Sequence, residues 1–209
     1  MLEVRSISFG FTKTPLLRDV SFVVSPGEVV SITGRNGCGK TTLMRLMATL
    51  LVPQSGQVLF DGKDAFSDPL KYRQQLGYLP ENIALYEDMA VREYLLYRAR
   101  IKGEAPKRIR RRIDDAVQLV RISDILRRPI RDLSQGQKKR VALADALLLR
   151  PRVLLLDDLM AAFDGEMREA MGEILKTAAA FSSVVVTGHE LAEMEKWSSR
   201  ILVLEGGRL

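Results

Sequence analysis

The sequence predicts an α/β fold: a mixed, mainly parallel sheet with an N-terminal antiparallel β subdomain and an inserted helical subdomain. Three observations predict it. Short apolar runs, Val29-Val30-Ser31-Ile32, Val153-Leu154-Leu155-Leu156 and Val184-Val185-Val186, alternate with longer helical stretches, as in a parallel sheet covered on both faces. A glycine-punctuated loop, Gly34 to Gly39, stands between one such strand and a helix. Between about Tyr86 and Leu149 the apolar spacing is helical and strand signals are absent.

Taken in order, the opening segment reads as strands. Leu2, Val4 and Ile7 are apolar among polar neighbours, and Val20 to Val24 is β-branched and aromatic. Pro26-Gly27 turns the chain into the buried run at Val29. A helix follows the glycine loop from about Lys40 to Leu50, and Pro53 and Gly56 stop it. Val58-Leu59-Phe60 before Asp61-Gly62 reads as a strand entering a hairpin. Val91 to Ile101 and Ile109 to Val120 form helices, and Gly136 to Leu149 forms a third with Val141, Leu143, Leu147 and Leu148 on its buried face. Strands return at Val153–Leu156, Val184–Val186 and Ile201–Leu204, with helices between them. The expectation is one domain over 1–209, its core at 1–85 and 150–209 and its helical subdomain at about 86–149. Glu205-Gly206-Gly207-Arg208-Leu209 reads as a hairpin cut short.

The composition is that of a globular protein: 46% hydrophobic and 28% charged over 209 residues. No run approaches the roughly 18 apolar residues of a membrane-spanning helix, and the mixed N-terminus does not read as a signal peptide. The single cysteine, Cys38, excludes an internal disulfide and fits a reducing compartment. A soluble, cytoplasmic protein is expected. The formal charge is +6, with Lys107, Arg108, Arg110, Arg111 and Arg112 close together. A solvated helix face explains such a cluster, as does attraction to an anionic membrane surface or an acidic partner. Nucleic acid ranks last, because no aromatic residues are interleaved for base stacking.

Gly34-Arg35-Asn36-Gly37-Cys38-Gly39-Lys40-Thr41 matches G-x-x-x-x-G-K-[ST] after a buried strand and at the start of a helix, the context that pattern requires. Glycines let several N–H groups point at one anion, and the helix N-terminus adds its positive end. Lys40 supplies a cation for the terminal phosphates, and the Thr41 hydroxyl is placed to ligate magnesium. Cys38 is a small filler in the loop. The core is therefore that of a P-loop NTPase. Its magnesium-side acid belongs at the end of a neighbouring buried strand, and Asp157 follows Val153–Leu156 there. An unpaired buried carboxylate is too costly to hold without such a role.

Leu133-Ser134-Gln135-Gly136-Gln137 resembles the L-S-G-G-Q signature of ABC ATPases, just before a helix and upstream of the Asp157 strand. The resemblance runs along nearly the whole chain and implies ATP and Mg2+ as cofactors. It implies that Asn36, Gly37, Cys38, Gly39, Lys40, Thr41 and Thr42 bind the phosphates. Ser134, Gly136 and Gln137 are implied to cap the nucleotide held by a second subunit. Phe11, which on its own reads as core, falls where the family stacks a ring on adenine. His189 falls at the switch histidine that contacts the γ-phosphate, and Asp164 at the D-loop aspartate of the dimer seam. Asp158 takes the place of the catalytic glutamate that polarises the attacking water, one methylene shorter, so slowed hydrolysis is expected. Glu81, in Gly77-Tyr78-Leu79-Pro80-Glu81, stands where many members have the Q-loop glutamine and still offers magnesium an oxygen. Gln135 replaces a glycine, and Leu159-Met160-Ala161-Ala162 departs from the family's usual stretch, which implies altered dimer contacts.

The Leu-Pro-Glu sequence is similar to that of the branch paired with ABC-2-type permeases. The partners so implied are a transmembrane permease subunit and a second cassette, a homodimer by default, with peripheral attachment to the inner face of the membrane. Two rival readings stand beside this one: a soluble ABC ATPase acting on nucleic acid or ribosomes, and a binding-only cassette that closes on ATP but barely turns over. The first of these rivals normally carries fused cassettes or long insertions, and none is visible here.

Overall fold

Apolar residues at positions 2, 4, 7 and 9 break strict alternation once, and the backbone breaks with them. The first strand, β1 (Leu2–Phe9), buries Leu2, Val4, Ile7 and Phe9. Its pairing shifts register between Val4 and Ile7, where Ser6 has φ 50°. That bulge returns the later apolar side chains to the core face.

The computed structural model describes residues 1–160, 163 and 165–209, with residue 166 described through its backbone alone. After β1 come β2 (Leu17–Val24), β3 (Val29–Thr33), α1 (Lys40–Met47), β4 (Ser55–Phe60), β5 (Lys63–Asp64), α2 (Pro69–Arg73) and β6 (Leu76–Leu79). The helical insertion holds α3 (Val91–Ile101), α4 (Pro106–Leu119) and α5 (Gln135–Leu147). The chain then returns through β7 (Val153–Leu156), α6 (Gly165–Ala179), β8 (Ser183–Thr187), α7 (Leu191–Met194) and β9 (Arg200–Val203). An antiparallel sheet has the order β2-β1-β4-β5, and a parallel sheet the order β6-β7-β8-β3-β9.

The parallel sheet divides two apolar cores by simple alternation. Val30, Ile32, Val153, Leu155 and Val185 face α1 and the antiparallel sheet. Val29, Leu154, Leu156, Val184 and Val186 face the other way, into a core shared with α3, α4, α5 and α6. The helical lobe therefore rests on the same core as the sheet.

The end of the first helix and the stretch Pro69–Leu79 differ from the sequence expectation. The first helix ends at Met47, and Ala48 caps it with φ −77° and ψ 1°, so Leu50 lies beyond it. Leu76–Leu79 forms an edge strand where the sequence shows no strand signal, and α2 precedes it, started by the Asp68 carboxylate accepting from Lys71 N–H at 3.1 Å. At the C-terminal end, Glu205 and Arg208 form an isolated antiparallel bridge. No helix among the described residues is long and apolar enough to cross a membrane.

Candidate functional site

Parallel register decides where the polar residues emerge. Leu79 pairs with Leu156, Leu156 with Val186, and Ile32 with Thr187. Four strands thus end level, and the segments just beyond them share one edge. Those segments carry Glu81, Asp157 with Asp158, His189, and the Gly34–Gly39 loop. The C-terminal edge of a parallel sheet is where ligands bind in such folds.

The loop needs its glycines. Gly37 and Gly39 have φ of 77° and 112°, values that a side chain tolerates poorly. Gly39 starts α1 with no side-chain cap, so first-turn N–H groups are left for an anion. Lys40 is 9% exposed, and its Nζ donates to the Gly34 and Arg35 carbonyls at 2.8 and 3.1 Å. The ammonium is thereby folded back over the Gly34–Gly39 loop. Asn36 and Gly37 are exposed, Cys38 is half-buried against the core, and Thr42 is buried behind the loop.

Thr41, Glu81 and Asp157 converge. The Thr41 hydroxyl lies 3.2 Å from Glu81 Oε2 and 3.3 Å from Asp157 Oδ1, and its one proton serves either in turn. Asp157 Oδ1 also accepts from the Thr187 hydroxyl at 2.6 Å, whereas its buried Oδ2 has no hydrogen-bond partner. Burial pushes the Asp157 carboxyl above its ordinary pKa. The hydroxyls of Thr187 and Thr41 pull it back, and the Glu81 and Asp158 carboxylates push it up further. A hydroxyl and two carboxylates, one of them with an orphaned buried oxygen, form a hard donor set, which suits Mg2+.

Asp158 has φ 48°. Its N–H donates to the Thr187 hydroxyl at 2.9 Å, and its carbonyl accepts from the Lys139 ammonium. Lys139 is only 3% exposed and lies 5.7 Å from the centre of the Phe163 ring. Burial lowers its pKa, an effect that the carboxylates of Asp158, Asp157 and Glu81 offset only in part. Neither Thr187 nor Lys139 was among the residues the sequence singled out. Thr187 had a signal: it is the polar residue ending a buried strand, beside an acid ending another. Lys139 had none beyond being a lysine on a helix otherwise rich in buried alanine and leucine.

His189 is exposed, two residues beyond β8, and Glu190 next to it pairs with Arg168. Phe11 lies between β1 and β2 with its ring 66% exposed and edge-on to Phe9, centroids 5.0 Å apart. Ser134 caps α5. Its Oγ accepts from Gln137 N–H at 3.2 Å, and Gln137 Oε1 accepts from Ser134 N–H at 3.0 Å. This is a reciprocal capping box. Gln135 is the first helical residue, so no glycine is required there. Ser134 stays exposed and Gly136 partly so. Asp164, like Ala161 and Ala162, lies outside the described residues.

Behind this edge, a cleft of about 560 Å³ runs between the Tyr78–Tyr86 segment and the helical lobe. Arg45, Tyr78, Tyr86, Tyr94, Arg98 and Asp145 contribute to its lining.

Known proteins resemble this chain along its whole length. The family model described as "ABC transporter" matches residues 17–161. A sulfate/thiosulfate import ATP-binding protein of Cucumis sativus is 36% identical over all of this chain and 61% of its own length. A spermidine/putrescine import ATP-binding protein of Legionella pneumophila is 33% identical, over all of this chain and 58% of its own. The chain thus spans about three fifths of the length of these curated relatives. A solved structure described as the ATP binding subunit of an ABC transporter superposes with a TM-score of 0.92 at 30% identity, covering all of this chain and 88% of that one.

Proposed function

Because the chain belongs to the ABC transporter family, we propose that it is the ATP-binding and ATP-hydrolysing subunit that powers a separate transmembrane permease. The observation that carries this reading is the meeting of Thr41 with Glu81 and Asp157 beside the Lys40 loop. Three segments far apart in sequence bring together a cation, a hydroxyl and two acids, the kinds of group that handling a triphosphate and its metal requires.

In this reading Lys40 and the N–H groups of the loop and first turn of α1 hold the β- and γ-phosphates of ATP. Magnesium, when bound, neutralises phosphate charge, and Thr41, Glu81 and Asp157 are the groups that hold it. Asp158 orients and polarises the attacking water, with His189 contacting the γ-phosphate. Phe11 offers an exposed ring face to adenine. The exposed Ser134 and Gly136 at the start of α5 grip the nucleotide of a second copy, so ATP completes each site only when two chains close on it. Hydrolysis removes the γ-phosphate that bridges them. The cleft beside Tyr78 and Tyr86 receives a short helix of the permease, and opening and closing of the dimer moves that helix.

The chain then sits on the inner face of the membrane through its permease. Leu79-Pro80-Glu81 supports an ABC-2-type permease as that partner, while the two named relatives are ATP-binding proteins of importers. No nucleic acid takes part.

Lys40→Ala and Asp158→Asn test the proposal. Lys40→Ala is expected to lose ATP binding and turnover together. Asp158→Asn is expected to keep binding, lose turnover by on the order of a hundredfold, and accumulate as an ATP-bound dimer in analytical ultracentrifugation. Parent-like ATP binding and splitting by Lys40→Ala would end the proposal. A second reading, a cassette that closes on ATP and barely hydrolyses it, is favoured by the short Asp158 side chain. Parent turnover that stays at background with the permease present would select it.

A further inference from the structure

Lys139 occupies a position that its sequence neighbours do not explain. It lies on α5, five residues beyond Ser134, with its side chain turned inward and 3% exposed. Ser134, at the start of the same helix, is exposed. A buried ammonium is costly to hold unless its hydrogen bonds are met, and this one donates to the carbonyl oxygen of Asp158. The Phe163 ring covers the same ammonium at 5.7 Å.

Asp158 is therefore gripped from two sides. Thr187, at the end of β8, takes its N–H at 2.9 Å, and Lys139 holds its carbonyl from α5. Between these grips the backbone is left-handed, φ 48°, a region that aspartate enters more readily than most residues, and the two grips hold it there. The grip from β8 belongs to the rigid sheet. The grip from α5 belongs to the helix whose first turn carries the signature residues. Ser134 and Lys139 are separated by about 7.5 Å along the axis of one helix, so a small movement of the helix start is passed to the Asp158 peptide. A carboxylate one methylene short of glutamate depends more on where its backbone sits.

We propose that Lys139 is a positioning residue that couples the two ATP sites of the dimer. Engagement of Ser134 by the partner's nucleotide fixes α5, and through the Lys139–Asp158 contact it sets the acid that acts on the chain's own nucleotide. The coupling rests on the reading of Asp158 as the water-polarising acid. It works in cis, within one chain, and needs no contact across the dimer beyond the signature itself.

Lys139→Met keeps the length and buried volume of the side chain and removes the donor; Lys139→Arg keeps a cation and donors. ATP hydrolysis by the full chain is followed against ATP concentration, with nucleotide affinity measured separately by a fluorescent ATP analogue. Lys139→Met should lose turnover by on the order of ten- to a hundredfold, with nucleotide affinity unchanged and ATP-driven dimerisation, read by sedimentation velocity, kept. Lys139→Arg should restore part of the turnover. Parent turnover in Lys139→Met would overturn the proposal. Loss of turnover and nucleotide affinity in step, with no rescue by arginine, would show a merely structural lysine and overturn it equally. Asp158→Asn is measured alongside. If it keeps parent turnover, the acid itself was misassigned; if it loses turnover while Lys139→Met does not, only the coupling fails.

Discussion

Asp157 is the residue at which the fold bears a cost for the proposed metal site. Its Oδ1 is held by Thr187 and faces Thr41, while its buried Oδ2 has no partner. An ionised carboxylate so placed disfavours the folded state, as the upward push of its pKa by burial shows. Asp157→Asn keeps an acceptor for both hydroxyls and removes the charge. We expect the nucleotide-free variant to melt higher than the parent by on the order of a few degrees. Mg2+-ATP, which should raise the melting temperature of the parent by mass action, should raise that of the variant far less. Thermal melts with and without Mg2+-ATP check both. A nucleotide-free variant that melts lower than the parent, yet keeps the full shift with Mg2+-ATP, would place the metal elsewhere. Strain for function and strain for folding can thus be told apart at a single side chain.

At the scale of elements, β6 shows what local pattern does not carry. Gly77 sits in a four-residue strand with polar Gln74 and Gln75 before it and Pro80 after it, so the segment reads as a loop. The reason for the glycine lies 69 residues away in the chain. A Cβ at Gly77 would come 2.2 Å from the Ala146 carbonyl oxygen on α5 and 2.8 Å from Pro151 Cγ. The glycine lets an edge strand and the last turn of the signature helix touch, which is a tertiary requirement. Gly77→Ala should cost about 1–3 kcal/mol and should also displace the Glu81 segment that follows. Gly172→Ala on α6 is the control. Its Cβ would meet only Trp197 Cβ at 3.7 Å, so it should be neutral or stabilise by up to about 1 kcal/mol. Denaturant melts of the two variants give the comparison, and equal effects would remove the close-approach explanation. The strands at Val29, Val153 and Val184 were legible because burial on both faces demands continuous apolar runs. The glycine loop between β3 and α1 was legible because the phosphate chemistry proposed for it fixes its spacing. The Thr187–Asp157 bond and the Lys139–Asp158 contact were not, since each joins segments whose meeting depends on strand order and helix packing.

Across the whole molecule, one short region serves both folding and assembly, and the two roles can be separated. Ser134 and Gln137 close the capping box of α5, a helix whose Val141, Leu143 and Leu147 are fixed in the core shared by the lobe and the parallel sheet. Ser134 is also the exposed residue proposed to grip the partner's nucleotide. Ser134→Ala confounds the two roles, because it removes a cap worth about 1 kcal/mol along with the grip. Ser134→Asp does not. Aspartate caps a helix as well as serine does and gains from the positive helix end, yet it sets a carboxylate against the γ-phosphate across the dimer interface. The expected outcome is a chain with parent melting temperature and parent affinity for ATP, since its own loop at Lys40 is untouched, that no longer forms an ATP-driven dimer. In the Asp158→Asn background, which should otherwise accumulate the closed dimer, sedimentation velocity with ATP and Mg2+ should show monomer alone. A dimer that persists there would mean that the start of α5 does not face the partner's nucleotide. The two copies would then have to meet through another surface.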